Sequence, residues 1–139
     1  MPKLFSDKTE SPNWDEDLIK AWYRLGIFMP FFRAHAHIDS IRREPWVFSE
    51  ETNLQLRDTI RLRYALLVYL YTQFYMSQNE EHGKCSPIIR PLWYEYPTLK
   101  NVEDNESTFL FGPAILVQIM PKKNPLPADL PSSKYEFDI

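Results

Sequence analysis

Residues 30–46, with the sequence PFFRAHAHIDSIRREPW, combine aromatic, basic and imidazole side chains in one short run. Arg33, His35 and His37 follow directly after a pair of phenylalanines, so polar groups begin where an apolar run ends. A basic surface helix would not place two phenylalanines side by side, and a buried strand would not carry three such polar groups. We therefore predict that this segment leaves a core at the end of a strand and lines a polar pocket.

The same residues also have less specific interpretations. On the residues alone, His35 is most simply a loop histidine that bonds to the backbone, and so is His37. With His35 it could ligate a metal ion, but Asp39 is the one carboxylate near them at ligand spacing, and this favours no metal site. The charged residues 42–44 fit a solvated or structural charge group.

Four further residues could also do chemistry. Trp46 and Trp93 could stack on the face of a sugar, but aromatic residues in such apolar company are more often part of a core. Arg90 and Glu95 flank a predicted strand, and a buried or partly buried pair is a simpler interpretation of them than acid and base roles.

Length and composition exclude several classes of protein. The 139 residues are 44% hydrophobic, so the chain must bury a core. The formal net charge is −3 and no basic block exceeds two residues, so no nucleic-acid partner is expected. No run approaches the roughly twenty apolar residues of a membrane span, and the amino terminus lacks a secretory signal pattern. The single cysteine, Cys85, is expected to be a free thiol, and no cofactor is implied.

Hydrophobic spacing predicts a first helix and a strand. Asn13 can cap a helix whose apolar residues recur every three to four positions until Gly26. The apolar run 27–32 has a central proline and favours a buried, irregular strand. Residues 33–43 would then be the loop at the end of that strand.

A second, long helix is predicted from Ser49 to about Ser77, with acidic residues in its first turn. Its first half has one apolar face, on which Arg63 lies in register with leucine and isoleucine residues. Residues 64–76 are apolar nearly all round, which is typical of a helix buried on several sides.

Two further runs, 87–97 and 108–120, have the aromatic and branched residues of strands, and the second is interrupted at Gly112 and Pro113. Alternating helices and strands predict an α/β fold made of βα units with a parallel sheet. In such folds the loops at the carboxyl ends of strands carry the chemistry, and loop 33–43 would be one of them.

Four blocks in this order resemble the last part of the catalytic barrel of glycoside hydrolase family 31: WYRLGIFMPFFRAHAHIDSIRREPW, LRYALLVYLYTQFY, RPLWYEYP and FLFGPAILV. The resemblance implies the last βα units of an incomplete (β/α)8 TIM barrel with a long buried helix. It divides the chain into a divergent lead-in (1–14), a partial barrel (15–120) and an extended divergent tail (121–139).

The resemblance also implies an activity for the parent enzyme. Family members are retaining α-glucosidases, in which one aspartate attacks the sugar and a second protonates the leaving group, with carboxyl groups about 5–5.5 Å apart. The Trp-x-Asp-Met-Asn-Glu type motif of the nucleophile and the strand of the acid/base aspartate do not occur in this sequence. No catalytic residue is therefore assigned, and this chain alone is expected to be inactive.

Two substrate-binding residues are carried over by the resemblance. His35 matches the family histidine that hydrogen-bonds glucosyl hydroxyls, and Arg33 is the other polar member of that motif. The branch of the family suggests an α-glucoside or glucosylated N-glycan as substrate, a noncatalytic β subunit as partner and the endoplasmic reticulum lumen as location of the parent. The location of this chain stays open.

Three functions remain possible on the sequence alone. The favoured one is a fragment of an α-glucosidase that keeps part of the sugar subsite, because it accounts for all four blocks. The alternatives are a non-catalytic interaction protein and an unrelated carbohydrate-binding module. A slice of a barrel would also leave open sheet edges and exposed apolar surface, so the isolated chain is expected to be aggregation-prone or bound by chaperones.

Overall fold

A computed structural model of the chain describes residues 16–78, 85–100 and 102–119, which form parts of two compact units, residues 1–65 and 66–139. The elements are α1 (Glu16–Gly26), a 3-10 turn (Pro45–Val47), α2 (Glu50–Gln78), β1 (Ile89–Pro91), α3 (Leu92–Glu95), β2 (Thr108–Phe111) and β3 (Ile115–Gln118). Helix α2 contributes residues to both units.

The two long helices form where the sequence predicts them. Helix α1 ends at Gly26, as predicted, whereas its predicted cap, Asn13, lies outside the described residues. Helix α2 begins next to Ser49, whose hydroxyl accepts a hydrogen bond from the Thr52 backbone N–H at 3.3 Å. This is the usual bonding of a helix N-cap, so the predicted start of α2 is confirmed.

The predicted strand at 27–32 is wrong. The backbone N–H groups of Ile27 and Met29 donate to the carbonyl oxygens of Tyr23 (3.1 Å) and Gly26 (2.9 Å), so the chain turns back on the end of α1. These donors are therefore not free for a sheet, and Pro30 has no backbone N–H to offer. The run is apolar because Ile27 and Phe28 are buried, not because it is a strand.

The described sheet is antiparallel, which corrects the prediction of a parallel one. Its order is β1-β2-β3, with Ile89 opposite Phe111 and Leu110 opposite Leu116. The predicted strand 87–97 pairs over only three residues before α3 begins, and the predicted strand 108–120 is a hairpin. Its interruption at Gly112 and Pro113 is the turn that reverses the chain, a role that proline and glycine favour.

A small apolar core holds this second unit together. Leu92 of α3, Val102 and Leu110 of β2 are almost fully buried and in contact, and Leu99 and Leu116 pack against them. The core therefore joins the one-turn helix α3 to the sheet.

Tyr69 of α2 satisfies the backbone of the hairpin turn. Its hydroxyl donates to the carbonyl oxygen of Phe111 (3.0 Å) and accepts from the N–H of Ala114 (3.2 Å). Gly112 lies between them at φ 61°, and a Cβ atom there would collide with the Tyr69 hydroxyl and the Gln73 amide. Glycine is thus required both by its backbone conformation and by the close approach of α2.

The carboxyl-terminal half of α2 is not buried on several sides, contrary to the prediction. Leu70 and Gln73 are buried, but Val68 and Tyr71 are 78% and 79% exposed, and Tyr75 is 58% exposed. The hairpin turn covers only the side of the helix that carries Tyr69 and Gln73. We refer to the exposed side, which carries Leu67, Val68, Tyr71 and Phe74, as the apolar helix surface.

Removal of the Tyr69 hydroxyl should destabilise the hairpin. We expect Tyr69→Phe to lower the free energy of unfolding by about 1–2 kcal/mol, because two backbone groups lose their hydrogen-bond partner. Urea unfolding would measure this, together with faster amide exchange at Ala114. Tyr71→Phe removes the same hydroxyl from an exposed position of the same helix and should change neither quantity; equal effects of both changes would contradict the role of Tyr69.

The apolar helix surface should drive self-association. We expect the apparent mass of the chain in sedimentation to rise with concentration. A contiguous exposed apolar surface is usually covered by a partner molecule, and a second copy of the chain can be that partner. Tyr71→Lys should weaken the association, whereas Gln78→Lys, which adds the same charge at the end of α2, should not. A wild-type chain that stays monomeric at all concentrations would contradict the prediction.

Candidate functional site

Arg33 and His35 lie in an irregular segment between α1 and α2. We refer to residues 33–44 as the exposed loop, since both side chains and most of their neighbours are exposed. Within the described residues, neither side chain has a hydrogen bond, ion pair or ring contact to another residue. The structure therefore leaves the polar groups of Arg33 and His35 available to a ligand, but it does not join them to each other.

His37 has the local role that the less specific interpretation gives it. The backbone N–H of Asp39 donates to its Nδ1 atom at 3.2 Å, and the Ser40 N–H donates to its carbonyl oxygen at 2.9 Å. His37 thus stabilises a turn of the exposed loop. Among residues 16–78, 85–100 and 102–119, no three histidine, cysteine, aspartate or glutamate residues are grouped to hold a metal ion.

Arg42 and Glu44 form an exposed pair at the end of the exposed loop, which agrees with the solvated alternative of the prediction for residues 42–44. Arg42 Nε lies 3.3 Å from a carboxylate oxygen of Glu44. Backbone hydrogen bonding and the charge of Arg42 lower the pKa of Glu44, although desolvation opposes this. Burial, and then the charge of Glu44, raise the pKa of Tyr23.

The tryptophans differ from the prediction. Trp46 is 67% exposed in the 3-10 turn and Trp93 is about half exposed in α3, so neither is a core residue. Because Trp46 is exposed, the alternative prediction that it stacks on a sugar face stays open.

Two simpler predictions for the second unit are confirmed. Arg90 and Glu95 form a partly buried ion pair at 3.0 Å. Cys85 is an exposed free thiol.

Among the helices that the structure describes, none has an apolar stretch of the length needed to span a membrane.

Arg63 of α2 is the residue of this region that the sequence interpretation missed. It is only 7% exposed, and its guanidinium donates to the carbonyl oxygens of Ile27 (2.6 Å) and Pro30 (3.0 Å). Burial lowers its pKa. We refer to residues 27–32 as the anchored turn. The available signal was a charged residue in register on an apolar helix face, since a buried charge requires partners.

Phe32 completes the anchored turn. Its ring meets Tyr23 edge-on at a centroid distance of 5.8 Å, and the Arg63 guanidinium carbon lies 5.9 Å from its centroid. A Cβ atom on Gly26 would lie 2.8 Å from this ring. The residue directly before Arg33 is therefore held by α1 and α2 together.

Glu16 holds the chain beyond the other end of the exposed loop, at the start of α2. Its carboxylate accepts hydrogen bonds from the Ser49 N–H (3.2 Å), the Ser49 hydroxyl (2.6 Å) and the Thr52 hydroxyl. These bonds, that of the Ser49 hydroxyl above all, lower the pKa of Glu16. The carboxylate also lies at the positive end of α2, where a negative charge is favourable. The first residue of α1 is thus tied to the start of α2.

The bonds of Glu16 should make stability depend on pH. A carboxyl group whose pKa is lower in the folded state stabilises that state above its unfolded pKa, and the contribution is lost as the pH falls through the folded pKa. We expect Glu16→Gln to lower the urea midpoint at about pH 7 and to have little effect at about pH 3. Glu50→Gln removes a charge from the same helix terminus without these bonds, so a pH dependence as large as that of Glu16→Gln would contradict the assignment.

Comparison with known proteins places both halves of the chain in one family. Residues 5–73 match the TIM-barrel domain of family 31 glycosyl hydrolases, and residues 85–136 match the C-terminal domain of the same family. The barrel part of the predicted fold class is confirmed. The antiparallel sheet lies within the second match, not the first, and the division at 1–14, 15–120 and 121–139 stays a prediction.

Similar proteins are several times longer than this chain. A probable glucan 1,3-alpha-glucosidase of Oryza sativa subsp. japonica is 44% identical over 106 residues, which are 76% of this chain and 11% of that protein. Neutral alpha-glucosidase C of Homo sapiens is 40% identical over 123 residues, 87% of this chain and 13% of that protein. The chain thus spans little more than a tenth of these relatives.

Solved structures agree with this assignment. The DNJ-bound glucosidase II alpha subunit superposes with a TM-score of 0.64 at 39% identity, over 76% of this chain and 11% of that one. A Flavobacterium johnsoniae family 31 dextranase complexed with isomaltotriose gives a TM-score of 0.65 at 36% identity, over 75% and 12%. This chain belongs to glycoside hydrolase family 31.

Proposed function

We propose that this chain is a piece of a retaining α-glucosidase that keeps part of the glucosyl-binding subsite and lacks the nucleophile and the acid/base aspartate. The observation that carries the proposal is the state of Arg33 and His35: both are exposed, and neither is bonded to another described residue. The family motif that these residues resemble assigns them to sugar binding. Their surroundings in this chain leave their polar groups accessible for that role.

The chemistry of the two side chains suits a sugar. A neutral imidazole has one donor and one acceptor, which matches a hydroxyl group able to do both, and the His35 ring can therefore bond one or two sugar hydroxyls. The guanidinium of Arg33 presents several donors in a fixed plane and could bond a hydroxyl or orient a carboxylate. Trp46 lies further along the same segment and could add a stacking surface.

No hydrolysis follows from these residues alone. Retention requires two carboxyl groups about 5–5.5 Å apart across the scissile bond, and the sequence has no motif for the nucleophile. The role of this chain would thus be to bind the sugar, and cleavage would require the aspartates of a longer protein.

For the longer protein we propose α-glucosides, including glucosylated N-glycans, as substrates, a noncatalytic β subunit as partner and the endoplasmic reticulum lumen as location. Similarity to proteins named neutral alpha-glucosidase and glucosidase II alpha subunit supports this choice of branch. Similarity to a dextranase supports α-linked glucose as the common substrate unit.

Sugar binding should depend on His35. We expect the purified chain to bind methyl α-D-glucopyranoside weakly in saturation-transfer NMR and to lose most of this signal in His35→Ala, because two hydrogen-bonding groups are removed. His37→Ala is the matched control, since that ring bonds within its own turn, and it should retain the signal. The chain should not release nitrophenol from 4-nitrophenyl α-D-glucopyranoside.

Three results would contradict the proposal. They are the absence of any binding, equal losses in His35→Ala and His37→Ala, and turnover by the purified chain that disappears in His35→Ala.

A non-catalytic interaction protein is the second candidate. The apolar helix surface favours it, since Val68 and Tyr71 are largely exposed. The third possibility from the sequence, an unrelated carbohydrate-binding module, is wrong because the chain belongs to family 31.

A further inference from the structure

We propose that Arg63 is a positioning residue for the glucosyl-binding pair Arg33 and His35, acting through the backbone of the anchored turn. This inference rests on the proposed function of those two residues. Arg63 itself does not touch the ligand in this proposal, because it is buried under residues 27–32.

The guanidinium of Arg63 bonds to two points of the anchored turn. Its two terminal nitrogens donate to two different carbonyl oxygens, those of Ile27 at 2.6 Å and Pro30 at 3.0 Å. Since these carbonyls are three residues apart, the planar group fixes the curvature of the turn and not only one point of it. The charge strengthens both bonds.

The anchored turn has few other hydrogen-bonding arrangements open to it. Its backbone N–H groups at Ile27 and Met29 already bond to the carbonyl oxygens of α1, and Pro30 offers none. The carbonyl oxygens of Ile27 and Pro30 are thus bonded by a side chain of α2 instead of a neighbouring strand. The path of the backbone here depends on a residue more than thirty positions later in the sequence.

Phe32 connects the anchored turn to the pair Arg33 and His35. Phe32 directly precedes Arg33, and its ring is confined by Tyr23, by Gly26 and by the guanidinium of Arg63. Arg63 therefore contacts the turn at three places, of which the last is adjacent to Arg33. Beyond Phe32 the loop is exposed, so its direction on leaving the turn is set at this point.

A purely structural role for Arg63 predicts a different result from a positioning role. If Arg63 only filled the core, its loss would disturb the whole first unit, including the bonds between Glu16 and the start of α2. A positioning role predicts that those bonds persist while the loop that carries His35 changes its conformation.

Histidine-labelled NMR can separate these outcomes in the full chain. The sequence has only three histidines, at positions 35, 37 and 82, and His35→Asn would assign the signal of interest. The backbone N–H of Ser49 donates to Glu16, and that of Thr52 donates to the Ser49 hydroxyl. The amide signals of these two residues therefore report on the remainder of the first unit. The probe ligand is methyl α-D-glucopyranoside.

We expect Arg63→Met, which keeps the apolar stem, to shift or broaden the His35 ring signal and to weaken sugar binding by about tenfold or more. The Ser49 and Thr52 signals should stay unchanged. Arg63→Lys should recover part of the binding, because an ammonium group retains the charge but not the fork geometry. Arg61→Met is the control: it removes an exposed arginine of the same helix, paired with Asp58, and should change nothing measured.

Two results would overturn the inference. One is an unchanged His35 signal and unchanged affinity in Arg63→Met, and the other is a loss of the Ser49 and Thr52 signals in Arg63→Lys as large as the loss at His35. If the wild-type chain binds no sugar, the proposed function fails instead. The His35 signal of the arginine variants still decides whether Arg63 positions the loop.

Discussion

The hydrogen bonds between the Arg63 guanidinium and the carbonyl oxygens of Ile27 and Pro30 are the constraint that holds the anchored turn and the start of the exposed loop. A buried cation is tolerated only where it is well bonded, and a buried carbonyl group also requires a donor. Each group therefore removes the cost of burying the other. The apolar residues Ile27 and Phe28 can be buried in a turn, without a strand, because this pairing satisfies the adjacent backbone.

The exposed loop follows from the way its ends are held. Arg63 and Tyr23 hold Phe32 at one end, and Glu16 holds Ser49 just beyond the other. Between these points Arg33 and His35 carry no intramolecular bonds among the described residues. This combination suits the proposed sugar-binding role, since fixed ends limit the conformations of the loop and unbonded side chains have no internal bond to break.

The second unit uses the same device with a neutral group. The Tyr69 hydroxyl on α2 bonds a carbonyl oxygen and an N–H group of the hairpin turn, at the residues flanking Gly112 and Pro113. In both units a side chain of the long helix bonds to the backbone of a turn. The Arg63 bonds are expected to be the stronger ones, because hydrogen bonds from a charged guanidinium are in general stronger than those of a neutral hydroxyl. The side of α2 that performs neither task, around Val68 and Tyr71, is left exposed.

The sequence by itself determined the two helices, the family and the identity of the candidate residues. Apolar spacing, Gly26 and the cap at Ser49 are local signals, and local hydrogen bonds are what end and begin a helix. Arg33 and His35 came from a motif and not from geometry. The ion pair of Arg90 and Glu95 was also predictable, because its partners are close in the sequence.

Only the tertiary structure decided the remaining features. Strand-like composition at 27–32 cannot reveal that the backbone bonds to an arginine on a later helix, since periodicity reports burial and not the identity of the hydrogen-bond partner. The antiparallel pairing of the sheet and the exposure of Trp46 likewise depend on contacts that periodicity does not report. Burial of an apolar side chain depends on which surface meets it, and that surface is set by contacts between residues far apart in the chain.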